Sequence, residues 1–215
     1  MKNYDVYGIG NALVDTEYEV NDSFFTKAQL GKGLMTLVEA DERQRIIKLL
    51  EDDHDHQVIS QSGGGSAANT MVAISQLGGS SFYSCKVADD TIGDFFMSDV
   101  KAAGLDTNLE NGRGPGISGQ CISMVTPDAE RTMATNLGIS HTLSKNELDE
   151  DALRRSKYLY IEGYLVTSPT ALEAALRAQQ VAHEAGAIVS ITLSDPAITE
   201  HFKPAFDQFA EKNLV

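Results

Sequence analysis

The chain has 215 residues, enough for one large domain or for one domain and a small accessory piece. A formal net charge of −14 argues against a binding surface for nucleic acid or for an anionic membrane, because both need clustered lysine and arginine. No stretch has the apolar length of a membrane span, and the N-terminus lacks a secretory signal. The cysteines, Cys85 and Cys121, do not have the spacing of a metal site or a redox motif. These features predict a reduced, cytoplasmic protein.

The N-terminal segment predicts a buried strand over Tyr4–Ile9 that ends in glycine. Asn11 and Asp15 follow it, at the end of a strand where open α/β sheets bind their ligands. Asp15 could accept hydrogen bonds from a pair of sugar hydroxyls. The alternative is a turn asparagine and a solvated aspartate.

Residues 13–20 and 33–39 alternate like short strands and predict a small β piece outside any β–α alternation. Residues 40–50 predict an amphipathic helix with an acidic start. The following EDDHDH, residues 51–56, offers two histidines among four acids. It suggests a divalent metal site, or, as the favoured alternative, a solvated helix exit.

A glycine run dominates the next segment, SGGGSAANTMVAISQL over residues 62–77. Gly64 and its neighbours follow the apolar run HQVIS and precede a helix that Ser66 would N-cap, with Asn69 one turn in. A strand, a glycine turn and a helix N-terminus together predict a site for hydroxyls or anions. A tight strand-to-helix turn is the simpler alternative, and no Walker motif is present.

Together with the strand before the glycine run and the helix after it, strands and helices alternate up to residue 105. They alternate again through residues 144–211, where residues 144–156 predict one helix with a capping start and a strand over 157–166 runs into Tyr164. This order predicts an α/β fold: a doubly wound, mainly parallel sheet with helices on both faces.

Residues 111–140 interrupt the alternation with a glycine-rich linker and a hairpin around a Pro-Asp-Ala-Glu turn. Arg131, Met133 and Thr135 share one face of its second strand. The two β excursions predict a small β lid over the ligand site, made of residues 12–39 and 114–138. Residues 1–11, 40–113 and 139–215 then form the α/β core.

The segments GIGNALVD, GGGSAANTMVAISQLGG, the hairpin around Arg131 and YIEGYLVTSP together resemble the ribokinase-like (phosphofructokinase-B type) sugar and nucleoside kinases, in particular their adenosine kinase members. The resemblance extends over nearly the whole chain. It implies an ATP-dependent phosphotransferase that acts on a primary hydroxyl of a nucleoside such as adenosine, or of a sugar.

The resemblance also assigns roles to the residues that match the family's motifs. The implied substrate-binding set is Asn11 and Asp15 at sugar hydroxyls, Gly64, Gly65, Ser66 and Asn69 around the ribose, Tyr164 stacked on the base, Met133 and Thr135 near the base, and Arg131 near the phosphoryl group. Tyr164 could instead be a core tyrosine at a strand edge.

Two further motifs of the family, Gly-Ala-Gly-Asp with its general-base aspartate and Asn-x-x-Glu, do not occur in these residues. The ATP site, the Mg²⁺-organising residues and the catalytic base are therefore expected beyond Val215, and residues 1–215 alone are expected to be inactive. A non-catalytic nucleoside- or sugar-binding module is the alternative, as is a kinase for ribose or fructose. The oligomeric state, a monomer or a lid-mediated dimer, stays open.

Overall fold

The computed structural model describes residues 3–52, 57–111 and 113–211. Its strands, in chain order, are β1 (Tyr4–Ile9), β2 (Leu13–Glu19), β3 (Met35–Leu37), β4 (Gln57–Gly64), β5 (Ser81–Ser84), β6 (Asp106–Thr107), β7 (Gly119–Val125), β8 (Arg131–Asn136), β9 (Ser156–Ile161) and β10 (Ile188–Ile191). Its α-helices are α1 (Asp22–Ala28), α2 (Ala40–Asp52), α3 (Ser66–Gln76), α4 (Thr91–Ala102), α5 (Glu150–Arg154), α6 (Pro169–Ala185), α7 (Pro196–His201) and α8 (Lys203–Glu211).

The first sheet has five parallel strands in the order β10-β9-β1-β5-β6. Tyr7 and Leu159 point from one face into a core formed with α5 and α6. Tyr83 points from the other face into a core formed with α3 and α4. Helices thus cover both faces of a parallel sheet, which confirms the predicted fold class.

The second sheet is mixed, with the order β3-β8-β7-β2-β4. It draws strands from both predicted β excursions: β2 pairs in parallel with β7, and β3 pairs in parallel with β8. Its outer face packs against α1 and α2 around Phe24, Ile46 and Met124. The division of the chain into core and lid stays a prediction.

The strand before the glycine run was expected in the parallel sheet, and this expectation is wrong. Strand β4 is the edge of the second sheet and lies antiparallel to β2. Residues 57–62 are exposed. A strand inside a parallel sheet is buried on both faces and needs a longer apolar run than Val58 and Ile59 supply.

Two helical details also differ from the expectation. Helix α1 lies inside the excursion that was predicted to be β only, and it buries Phe24, Phe25 and Ala28. The segment after Ser144 is a short 3₁₀ turn followed by α5 rather than one helix, although the predicted capping start is present between Ser144 and Glu147. Most of the EDDHDH segment lies outside the described residues.

Candidate functional site

A cavity of about 230 Å³ lies between the carboxyl ends of β1 and β9, the N-terminus of α3 and the inner face of the second sheet. We call it the inner cavity. Its lining consists of Asn11, Leu13, Asp15, Met35, Leu37, Gly65, Ser66, Asn69, Cys121, Arg131, Met133, Thr135, Leu137, Glu162, Tyr164 and Thr167. Every residue predicted for the site is in this set except Gly64.

The second sheet supplies one wall as a row of cross-strand neighbours. Asp15 on β2 is paired with Cys121 on β7, Cys121 with Thr135 on β8, and Thr135 with Leu37 on β3. Residues in register across a sheet point to the same face. Two residues further along β8 and β3, the same face carries Met133 and Met35. The wall is therefore mostly apolar, with one carboxylate at its side.

The Asp15 carboxylate is partly buried, and this burial raises its pKa, while the charge of Arg131 opposes the shift. Gly64 pairs across the sheet with Leu13, and a Cβ atom on Gly64 would lie 2.4 Å from Asp15 Oδ2. The glycine therefore makes room for the carboxylate. Asp15 is an acceptor suited to hydroxyl groups of a ligand.

A second carboxylate, Glu162, lies at the end of β9 and was not predicted as a site residue. Its Oε2 accepts hydrogen bonds from the backbone N–H of Asn11 at 2.6 Å and from Asn11 Nδ2 at 3.0 Å. Its Oε1 accepts from Ser66 Oγ at 2.5 Å and from the backbone N–H of Ala67 at 3.3 Å. Glu162 thus joins the ends of β1 and β9 to the first turn of α3.

Burial raises the pKa of Glu162, and the donors of Asn11, Ser66 and Ala67 oppose the shift. The N-terminal end of α3 carries a positive partial charge, which favours a carboxylate at this place. A buried carboxylate with four donors is the expected way to accommodate such a charge. In the sequence, the available signal was a carboxylate, Glu162, inside the strand predicted over residues 157–166 and directly before Gly163.

The Asn11 side chain is largely engaged within the protein. Besides the hydrogen bond from its Nδ2 to Glu162, its Oδ1 accepts a hydrogen bond from Ser140 Oγ at 3.2 Å. Ser140 Oγ in turn accepts a hydrogen bond from the backbone N–H of Ala12 at 2.9 Å. An amide nitrogen carries two hydrogens, so one N–H of Asn11 is left for a ligand. Asn11 is therefore an oriented donor in the cavity.

The glycine run begins α3 in a way that the sequence predicted only in part. Gly65 occupies the N-cap position with φ of 105°, and a Cβ atom there would lie 2.4 Å from the Asn11 carbonyl oxygen. Ser66 is the first helical residue and not the N-cap, so that prediction is wrong: its hydroxyl bonds to Glu162. Asn69, one turn later, is exposed at the cavity.

Arg131 and Tyr164 lie where the cavity meets solvent. Arg131 is exposed, and its Nε donates to Ser123 Oγ at 2.7 Å across the hairpin. Tyr164 is half-buried in a 3₁₀ turn, Gly163–Thr167, rather than in a strand. Burial raises the pKa of Tyr164, with further contributions from Asp195 and Glu162. Tyr164 thus offers a neutral aromatic ring at the cavity.

The remaining lining residues were missed because no local signal marks them. They are Leu13, Met35, Leu37, Cys121, Leu137 and Thr167, which look like ordinary strand or turn residues. The strand residues among them reach the cavity through the pairing of β2 with β7, of β7 with β8 and of β8 with β3, which only the paired sheet reveals. Thr167 reaches it through the 3₁₀ turn that follows β9.

Within the part of the chain that the structure describes, no three His, Cys, Asp or Glu side chains converge in a way that could hold a metal ion. The described residues therefore provide no such cluster of ligands for Mg²⁺. In the same part of the chain, no helix is long and apolar enough to cross a membrane.

A family model described as pfkB family carbohydrate kinase matches residues 30–212. The chain belongs to this family. The predicted resemblance to ribokinase-like kinases is thereby confirmed, and the kinases of this family are phosphotransferases. The match covers β3 to α8 and so includes strands of both sheets.

Individual relatives agree with this family membership. The adenosine kinase from Sinorhizobium meliloti is 33% identical, with a TM-score of 0.84 and coverage of 95% of this chain and 61% of that one. A probable sugar kinase from Rhizobium etli CFN 42 is 32% identical, with a TM-score of 0.85 and coverage of 96% and 61%. Adenosine kinase 2 of Arabidopsis thaliana is 25% identical, with coverage of 96% of this chain and 60% of that protein. The chain thus spans about three fifths of the length of these relatives.

Proposed function

We propose that this chain provides the acceptor-binding part of a kinase that transfers the γ-phosphoryl group of ATP to a primary hydroxyl of a nucleoside, adenosine or a close analogue. The observation that supports this most directly is the inner cavity. It combines a hydroxyl-binding carboxylate, Asp15, with an apolar wall and an aromatic ring, Tyr164. A nucleoside presents the matching pair of features, a polyhydroxylated ring and a flat base.

In this proposal the chain's own residues bind and orient the acceptor. Asp15 accepts hydrogen bonds from two ring hydroxyls, and Asn11 donates one N–H to the same ring. The exposed guanidinium of Arg131 faces the phosphoryl oxygens, to which its charge is suited. Bound Mg²⁺ and backbone donors supply most of the charge stabilisation in phosphoryl transfer, and the residues for this and the base are proposed to lie outside residues 1–215.

A kinase for a simple sugar is the second candidate. The similarity to the probable sugar kinase of Rhizobium etli, at the same coverage, favours it. The apolar wall formed by Met133, Leu37 and Leu137 favours the nucleoside, because a free sugar has no apolar face of that size to cover it. The two free, buried cysteines are in keeping with a reduced cytoplasmic protein, which we also propose.

The test is a binding and turnover comparison on the full-length gene product with adenosine, inosine, ribose and fructose. Adenosine is expected to bind most tightly, and ATP-dependent AMP formation is expected at roughly 1–100 s⁻¹. Asp15→Ala should weaken adenosine binding by about 2–4 kcal/mol, because it removes a charged acceptor for two hydroxyls. Tight binding without phosphoryl transfer would indicate a non-catalytic binding module, and a preference for ribose or fructose would indicate a sugar kinase.

A further inference from the structure

The inner face of the second sheet carries one buried hydroxyl group that has no role in the proposed function. Ser123 lies on β7 two residues after Cys121, so both side chains point to the same face of the sheet. Ser123 pairs with Glu17 on β2 and with Met133 on β8, and it is fully buried. A buried hydroxyl needs a hydrogen-bond partner, because an unpaired polar group away from water costs free energy.

Arg131 provides this partner. Its Nε donates a hydrogen bond to Ser123 Oγ at 2.7 Å. The backbone of Arg131 lies opposite Val125, at the last register pair of β7 and β8 before the turn, whereas Ser123 lies two residues nearer to the inner cavity. The hydrogen bond therefore holds the Arg131 side chain back over the wall, toward the cavity that it lines, instead of letting it extend past the turn into solvent.

The effect of the arginine charge agrees with this orientation. Burial raises the pKa of Asp15 and that of Cys121, and the positive charge of Arg131 acts in the opposite direction on both groups. Asp15 and Cys121 are cross-strand neighbours in the row of the wall next to Ser123. The guanidinium is thus close enough to this row for its charge to act on the carboxylate that the proposed function places at the sugar hydroxyls.

The hydrogen bond to Ser123 uses one of the five N–H groups of the guanidinium. The other four, on Nη1 and Nη2, have no hydrogen-bond partner among the residues that the structure describes. A guanidinium held at Nε presents its two terminal nitrogens as a fork, the geometry that binds two oxygens of a phosphoryl group at once. Without this anchor, an exposed arginine would lose side-chain entropy each time it was ordered at the ligand.

We infer that Ser123 is a positioning residue, whose hydroxyl holds the Arg131 side chain over the inner cavity and turns its two terminal nitrogens toward the transferring phosphoryl group. This inference rests on the proposed function. Ser123 is not among the residues that line the cavity, so it acts through Arg131. Loss of its hydroxyl should slow phosphoryl transfer and leave the binding of the nucleoside, which Asp15 and Asn11 hold, nearly unchanged.

The test is a double-mutant cycle on the full-length gene product with Ser123→Ala, Arg131→Ala and the double variant. Two quantities are measured: the single-turnover rate of phosphoryl transfer from ATP to adenosine, and the Kd for adenosine by calorimetry. Ser123→Ala should slow transfer about tenfold and change the Kd by no more than about twofold. In the Arg131→Ala background, Ser123→Ala should slow transfer no further, because the side chain that it positions is absent.

Ser156→Ala is the matched control. Ser156 is also a buried strand serine, and its hydroxyl donates to the Ala152 carbonyl oxygen at 2.9 Å. It lies at the amino end of β9, whereas the inner cavity lies at the carboxyl end of this strand. Its transfer rate and Kd should both stay within about twofold of those of the unsubstituted protein.

Each outcome bears on the inference. A normal transfer rate in Ser123→Ala, with a slow Arg131→Ala, overturns the inference and leaves the proposed function standing. An equal loss from Ser123→Ala with and without the Arg131 side chain also overturns it, because Ser123 then acts through the fold. A normal rate in Arg131→Ala overturns both the inference and the placement of Arg131 at the phosphoryl group.

Two further cases are covered by the same measurements. If the unsubstituted protein transfers no phosphoryl group to adenosine, the proposed function fails and the inference fails with it. If Ser123→Ala does not fold, Ser123→Cys, which is close to serine in size and only a weak acceptor, takes its place with the same expected results.

Discussion

The Glu162 carboxylate makes the most informative single perturbation, because four donors converge on one side chain that is only 1% exposed. Glu162→Ala removes the acceptor and leaves the donors of Asn11, Ser66 and Ala67 facing a void. These donors belong to two elements, the end of β1 and the first turn of α3, and Glu162 itself follows the end of β9. The substitution should therefore loosen the first sheet at the point where the inner cavity begins.

The magnitude follows from the number and surroundings of the donors. Each buried donor left without a partner costs about 1–3 kcal/mol. Ser66 is exposed at the cavity and can bond to water instead, so the full sum is not expected. We expect Glu162→Ala to lower the free energy of unfolding by about 3–5 kcal/mol, which corresponds to the three other donors at the lower part of that range. Glu162→Gln keeps one acceptor oxygen but turns an amide N–H₂ toward two donors, and we expect about 2–3 kcal/mol.

The assay is equilibrium denaturant unfolding of the full-length gene product. Glu173→Gln is the matched control: Glu173 has a 65% exposed side chain, pairs with Lys145 at the surface, and should change the free energy of unfolding by no more than about 0.5 kcal/mol. If Glu162→Ala falls within about 1 kcal/mol of this control, the four contacts do not stabilise the fold and the reasoning is refuted.

The same carboxylate predicts a pH dependence of stability. Because burial raises the pKa of Glu162, the folded state keeps the proton at a pH where the unfolded chain has lost it. The contribution is therefore greatest below the unfolded pKa, and the free energy of unfolding declines as pH rises from there through the folded pKa. In Glu162→Gln this decline should be absent, and an identical pH profile for both proteins would assign it to other groups.

Three further predictions concern the cavity and its surroundings. Gly65→Ala should lower the free energy of unfolding by about 2–4 kcal/mol in denaturant unfolding, because an alanine there combines a positive φ with a clash against the Asn11 carbonyl oxygen. Gly78→Ala is the control: Gly78 has φ of 90° but open space around its Cβ position, and the substitution should cost only about 1 kcal/mol. Equal losses in the two variants would mean that the clash at Gly65 contributes nothing. Because burial raises the pKa of Asp15, adenosine affinity should fall as pH is lowered through a window above the ordinary carboxyl range, and Asp15→Asn should flatten this dependence in calorimetry. Burial raises the pKa of Cys121 to about 11 and raises that of Cys85 as well, so neither thiol should react rapidly with a disulfide reagent at pH 8 until the protein is unfolded; a fast thiol in the native state would contradict their burial.

The sequence predicted the elements of this site that have local signatures. Asn11, Gly65 and Ser66 stand at the junctions of strands with turns or helices, where residue type and position suffice. The hairpin was predictable because its turn and its two-residue period lie within a few residues of each other, and the three side chains assigned to its inner face do line the cavity.

Long-range pairing was not predictable from the same signals. Strand β4 precedes a glycine turn and a helix, as a strand of a parallel sheet would, yet it pairs with β2 at the edge of the second sheet. Cys121 and Leu37 reach the cavity only because β7 lies beside β2 and β3 beside β8. Register fixes which face a residue occupies, and register is a property of two strands, so one strand read by itself cannot supply it.

At Gly64 a local sequence signal, the glycine run, and a long-range strand pairing, β4 with β2, act on the same residue. The family resemblance implied that Gly64 lies at the ribose, but the space beside Gly64 is filled by Asp15, whose Oδ2 would lie 2.4 Å from an added Cβ. Gly64→Ala should therefore act through Asp15: the carboxylate must turn away, and adenosine affinity should fall nearly as far as in Asp15→Ala, by about 2–4 kcal/mol. Gly114→Ala, whose Cβ would make only an ordinary 3.5 Å contact with Ile139, is the control. In the double variant the two losses should not add, because both remove the same interaction. Additive losses would mean that Gly64 contacts the ligand directly, as the sequence first suggested.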